Sequence, residues 1–193
     1  MNIEANQQQF FEEVSGFKSD LINALSSENV EKYREEYKGR YSTERFKEYF
    51  IEKTALHILF KYILIRMVEE SMGRVKVKLN EEGLRKWHQM SKNFRSDYGL
   101  LMEFAEKDVR REHDLAEIFK ETIYDEKQFK NKTRNVLREY IPIMAKYSFA
   151  TLDPNITLSI IDRLFNPEIR EELQRLSHSS PIINFLLQEV GLL

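Results

Sequence analysis

Four histidines, His57, His88, His113 and His178, are the side chains best suited to metal ligation or proton transfer, and their spacing serves neither. None has a second histidine at the interval of a zinc-binding helix motif, so no metal site is expected. His57 stands in an apolar stretch, where the expected role is that of a hydrogen-bonded core histidine. No serine sits between glycines as a nucleophile elbow requires, and six scattered glycines cannot build a phosphate-cradling loop. The absence of cysteine removes thiolate nucleophiles and thiolate metal sites, and fits a reducing compartment. Glu36-Tyr37-Lys38 matches the acidic-x-Lys half of a metal-dependent nuclease site, but lacks the preceding strand and aspartate. In a chain this rich in Glu and Lys, such a triplet is expected by chance.

Charge gives the stronger signal. Ser71 to Arg95 holds seven Lys/Arg against two Glu, and Lys127 to Arg138 holds five with no acid. Together these windows carry +10 in a chain of net charge -2. Nucleic-acid affinity comes largely from neutralising phosphates with such side chains. The candidate DNA contacts are therefore Arg74, Lys76, Lys78, Arg85, Lys86, Lys92 and Arg95 in the first window, and Lys130, Lys132 and Arg134 in the second. Trp87, Phe94 and Tyr98 are interleaved with the first set, as base-stacking aromatics would be, although core aromatics on an amphipathic helix give the same pattern; Trp87 is read as core. Ordinary solvated helix faces remain the competing reading of both windows.

The elements that must position these residues are helical. Hydrophobic residues make up 41% and charged residues 32%, with four prolines, a balance that suits amphipathic helices and predicts an all-α, multi-helix bundle. Phe10, Val14, Phe17, Leu21 and Leu25 recur at helical spacing despite Gly16. A short, charged surface helix is predicted over Glu28 to Lys38, with Val30, Tyr33 and Tyr37 as its stripe. Ser42 or Thr43 can cap the next helix, which runs to about Met72 and is apolar all round from Ala55, as a buried central helix is. It holds Lys61 and Arg66 on nearly opposite sides at about 100° per residue, so at least one must enter a packed environment. Pairing of Arg66 with a neighbour such as Glu69 or Glu70 is expected, rather than contact with a partner domain.

Arg74 to Leu79 alternates basic and aliphatic residues and is the one strand signal, open to three readings: a linker, an edge awaiting another domain, or half of a small hairpin. Asn80 is a partial cap for a segment from Glu81 to Phe94, and Asp97 a better one for a helix from Tyr98 to about Arg111. Leu100, Leu101, Phe104, Val109, Leu115, Ile118 and Phe119 are assigned to the core side of that helix and its continuation. Another helix should span about Asp125 to Met144, with Pro142 forcing a kink or an end. Asp153-Pro154, Asn166-Pro167 and Ser180-Pro181 each place a capping side chain before a proline, so short helices should start at 154, 167 and 181. The chain then reads as a single helical domain over 1–193, with an N-terminal helical arm (1–42), a central bundle (43–146) and short C-terminal helices (147–193). The strand and the apolar tail Ile182 to Leu193 both look outward, toward a second domain.

Two segments carry a family resemblance. Thr54 to Glu70 (TALHILFKYILIRMVEE), a leucine-rich run followed by Arg66-x-x-Glu69, resembles the apolar helix near the start of adenine-N6 DNA methyltransferases of restriction-modification systems. Tyr147 to Phe165 (YSFATLDPNITLSIIDRLF) resembles a later segment of the same N-terminal helical region, which in that family leads into the methyltransferase domain. The resemblance spans about Thr43 to Phe165. Past that point the family continues into a Tyr-Thr-Pro element, a glycine-rich S-adenosylmethionine loop and an Asn-Pro-Pro-aromatic motif. Here Asn166-Pro167-Glu168 is the nearest string, so no catalytic residue carries over.

What the resemblance implies is a non-catalytic helical module that supports DNA binding and docks on a methyltransferase or restriction domain or subunit, with no cofactor in this chain. The alternative is a protein–protein interaction module without a nucleic-acid role. Met1 to Phe11 lacks the basic start and apolar run of an export signal, and Ala55 to Val68 is too short and too charged to span a bilayer, so a cytoplasmic, non-membrane protein is expected.

Overall fold

The computed structural model describes residues 3–35, 40–71, 75–90, 93–94, 96–112, 115–149, 164 and 180–189. Among them the regular structure is helical, as expected, and no strand occurs. In chain order the helices are α1 (Ile3–Leu25), α2 (Thr43–Ser71), α3 (Glu81–Met90), α4 (Tyr98–Val109), α5 (Lys127–Met144) and α6 (Pro181–Glu189). Two 3-10 turns, Glu31–Tyr33 and Ile123–Asp125, lie between them.

α2 is the axis. Every residue from Tyr49 to Arg66 is buried, which is why this helix is apolar all round and why its charged residues need partners inside the protein. Ser42 provides the cap, its Oγ accepting from Arg45 N at 3.2 Å. α1 packs on α5 and α2 through the predicted stripe, with Phe10, Val14, Phe17, Leu21 and Leu25 fully buried. Phe17 stacks on Tyr140 of α5 at 4.9 Å, and Tyr140 donates to Asp20 Oδ2 at 2.7 Å. Gly16 is tolerated in mid-helix because Tyr140 fills the space of its missing side chain: a Cβ there would lie 2.9 Å from the phenol oxygen.

Several expectations are corrected. The helix over Glu28 to Lys38 reduces, among the described residues, to the 3-10 turn Glu31–Tyr33. Val30 and Tyr33 do not lie on the surface but are buried, Tyr33 stacking on Phe50 at 4.6 Å. The alternating segment 75–79 is not a strand. Its amides are held by carboxylates instead: Asp108 Oδ2 accepts from Lys76 N at 2.6 Å and from Val77 N at 3.1 Å, and Glu69 Oε2 accepts from Leu79 N at 2.6 Å. Three amides of this bent segment are thus satisfied without a second strand. Nor do the first residues of the apolar tail look outward, since Ile182 and Ile183 of α6 belong to the core.

The caps were better signals. Asn80 Oδ1 accepts from Gly83 N at 2.9 Å at the start of α3, although α3 ends at Met90 rather than Phe94. Asp97 Oδ1 accepts from Leu100 N at 3.1 Å at the start of α4, which ends at Val109. Ser180 precedes α6 as predicted, its Oγ accepting from Ile183 N at 3.3 Å. The starts expected at 154 and 167 lie outside the described residues. Pro142 sits in the last turn of α5, which stops two residues later.

Candidate functional site

Two polar clusters meet on α2. In the first, Ser180 Oγ lies 2.8 Å from His57 Nδ1, and His57 Nε2 lies 3.1 Å from Asp125 Oδ1. Lys61 pairs with the same Asp125 oxygen and with Glu106 at 3.2 Å, and Glu106 pairs with Arg110 at 2.6 Å. The remaining Asp125 oxygen closes a capping box on the Ile123–Asp125 turn, accepting from Thr122 N at 2.9 Å and Thr122 Oγ1 at 3.1 Å. A carboxylate only accepts, so His57 carries its proton on Nε2, and Nδ1 accepts from the Ser180 hydroxyl.

The order serine, histidine, aspartate is that of a hydrolytic triad, but the environment forbids that chemistry. Ser180 and His57 are both 0% exposed, and the serine oxygen is already committed to the cap of α6. The adjoining cavity between α4 and α5 reaches Lys61, Glu106 and Asp125 but measures only about 40 Å³, room for water and nothing bulkier. Burial holds the His57 imidazole below its ordinary pKa despite the Asp125 hydrogen bond. Burial also pushes the Asp125 carboxyl up, but the His57 and Lys61 partners outweigh it and keep it well below the usual carboxylate range. The cluster is a clamp joining α2, α4, α6 and the turn before α5. His57 is the hydrogen-bonded core histidine its apolar context predicted, and no group of three potential metal ligands occurs among the described residues.

The second cluster explains Arg66-x-x-Glu69. Arg66 is 1% exposed and pairs with Glu69 and, at 2.8 Å, with Glu70, as expected. It also donates to Tyr147 O at 2.5 Å and lies 5.2 Å from the Phe149 ring. Glu69 in turn holds Leu79 N, and Glu70 accepts from Ser148 Oγ at 3.0 Å. The motif therefore bolts the end of α2 to segment 75–79 and to the chain leaving α5.

The basic candidates divide into groups. Lys76, Lys78 and Lys86 rim a groove of about 510 Å³ between segment 75–79, α3 and α4, floored by Val77, Trp87, Leu101 and Phe104. Arg85 is exposed on the other flank of α3, beside Pro142. Lys130 and Arg134 stand on the α4-facing stripe of α5, with Arg138 one turn further. Arg134 lies 3.5 Å from Asp97. Lys132 points elsewhere and pairs with Glu28 at 3.3 Å. Arg74, Lys92 and Arg95 lie outside the described residues, as do Glu36, Tyr37 and Lys38 of the nuclease-like triplet.

Trp87 is buried, as read from the sequence, and its Nε1 donates to Phe94 O at 3.1 Å. Phe104, assigned to the core, is instead 43% exposed and faces the groove; Phe94 and Met90 are more exposed still. The Asp125 and Ser180 partners of His57 were not anticipated. Thr122-x-x-Asp125, a capping-box pattern, was the available signal for the first.

Fold and sites together define an all-α bundle in which the His57 and Arg66 clusters are committed to structure and a lysine-rimmed apolar groove stands open. Compared with family models, with curated proteins and with solved structures, the chain finds no match. No helix among the described residues is long and apolar enough to cross a membrane.

Proposed function

We propose that this chain is a non-catalytic helical module of a DNA adenine methyltransferase or restriction-modification system, contacting DNA with one surface and docking on a catalytic domain or subunit with another. The methyltransferase part rests on the resemblance of Thr54–Glu70 and Tyr147–Phe165. The observation that carries DNA contact is the row Lys130, Arg134 and Arg138, spaced by one helical turn each on α5 and continued past Pro142 by Arg85. From 130 to 142 a helix rises about 18 Å, enough to follow several phosphates. Such contacts position a duplex without reading its sequence.

The test is duplex binding by the whole chain as a function of salt. Affinity should fall steeply with salt, and Lys130→Gln, Arg134→Gln, Arg138→Gln and Arg85→Gln together should reduce the slope of log affinity against log salt by about 3.6, at roughly 0.9 per lost phosphate contact. Salt-insensitive or absent binding overturns the DNA half. The methyltransferase half predicts that the chain, recovered from its native cells, carries S-adenosylmethionine-dependent adenine methylation with it; a preparation lacking that activity removes it.

A further inference from the structure

We infer that the groove between segment 75–79, α3 and α4 receives an acidic amphipathic helix of a partner protein. This rests on the docking half of the function proposed above and gives the docked element its chemistry. The floor is apolar, and two large apolar side chains that line the groove stand open: Met90 at 77% and Phe104 at 43% exposure. Isolated exposed apolar residues need no explanation, but a cluster over a formed groove marks an interaction site.

The rim sets the sign of the occupant. Lys76, Lys78 and Lys86 border the groove, and Lys107 stands 6.0 Å from the Phe104 ring. The opposing acids are Glu82, which pairs with Lys86 at 2.6 Å and lies 3.8 Å from Lys78, and Asp108, whose carboxylate is taken up by the amides of Lys76 and Val77. Lys76 has no ion-pair partner among the described residues. An occupant with carboxylates flanking an apolar stripe therefore matches both floor and rim, whereas a basic segment would meet like charge.

The backbone sets the form of the occupant. An extended peptide binds a groove edge by pairing with free amides. Here the amides of Lys76, Val77 and Leu79 are already taken by Asp108 and Glu69, so strand addition would have to break those bonds. A helix, whose backbone groups are paired internally except at its ends and which binds by its side chains, has no such cost. Duplex DNA has no use for the apolar floor, and the indole of Trp87 is buried rather than presented for base stacking.

Trp87 is the single tryptophan of the chain and forms part of the floor, so its emission reports occupancy. The probe is a helical peptide of roughly 15–20 residues, with Leu and Phe at i, i+4, i+7 positions and Glu on both flanks, titrated against the full chain. The acidic peptide should shift Trp87 emission and bind at least tenfold more tightly than an analogue with every Glu replaced by Lys. Phe104→Glu should abolish the shift, and Lys76→Glu, Lys78→Glu and Lys86→Glu together should reverse the preference between peptides. The reversal requires a folded protein, so unfolding cannot imitate it.

Equal binding of both peptides, no response to either, or tighter binding of oligo-dT overturns the inference. So does concentration-dependent self-association that Phe104→Glu abolishes while the acidic peptide stays inert. The duplex salt slope should be unchanged in Phe104→Glu. Loss of peptide binding with that slope intact removes the groove assignment alone, and loss of duplex binding with peptide docking intact removes the DNA half alone.

Discussion

The His57 cluster and the α3 groove both combine lysines with aromatic neighbours, yet they differ in whether their polar groups are used. In the cluster, Asp125 receives His57, Lys61 and Thr122, and Lys61 is divided between Asp125 and Glu106. At the groove, Lys78 and Lys86 share the one partly exposed Glu82, Lys76 has no ion-pair partner among the described residues, and Phe104 remains open. Charge beside aromatics is therefore no guide to function by itself. What separates structural from binding charge is whether the fold has already neutralised it.

That contrast can be broken first at Asp125. Asp125→Ala should cost about 3–5 kcal/mol, because it leaves Lys61 and His57 buried with a partner missing and opens the capping box of the 3-10 turn. Denaturant midpoints measure this, and a loss below about 1 kcal/mol would mean that the cluster is not the clamp described. Gly83→Ala should cost about 2 kcal/mol, within the range for overpacking. A Cβ at this position would lie 1.9 Å from Lys78 O, a clash with backbone that only a shift of α3 away from segment 75–79 relieves. Its thermal unfolding should fall below wild type while the Trp87 emission changes, tying stability to the groove wall; an unchanged melt and emission would show that α3 can move freely.

The smallest effect is a pH dependence. His57 has a folded pKa below its ordinary 6.5, so the unfolded chain binds the extra proton first. The stability this gives is complete above about pH 6.5 and is lost as pH falls from there to the folded pKa, with a slope of at most about 1.4 kcal/mol per pH unit. His57→Gln should flatten that part of the stability curve, which denaturant unfolding at pH 5 to 7 would record. A curve identical in shape to wild type would mean that folding does not lower the His57 pKa.

Much of this fold is legible in the sequence because it is written locally. The α1 stripe, the all-round apolar α2, the caps Ser42, Asp97 and Ser180, and the Arg66 pair at i+3 and i+4 all lie within one or two turns of the residues that reveal them. The failures have a common cause in distance. The alternation over 74–79 was sound as a pattern, but Asp108, far along the chain, supplies the acceptors a neighbouring strand would have supplied. Phe104 has helical spacing with core residues and still stands 43% exposed in the groove beside segment 75–79, a placement that depends on residues distant in sequence. Of the basic candidates, spacing alone could not tell Lys132, paired across to Glu28, from Lys130 and Arg134 on the same helix.

The Ser180 cap has a consequence for how the molecule opens. α6 has nine residues, fewer than a helix needs to persist alone in water. Its first turn is closed by a hydroxyl whose own proton is given to an imidazole in the middle of α2. Fraying of this helix therefore strips a hydrogen bond from a fully buried residue of α2, so local melting is coupled to the core rather than confined to the margin. The end of the described chain and its axis behave as one cooperative unit, and the amide of Ile183 should exchange with solvent as slowly as core amides do.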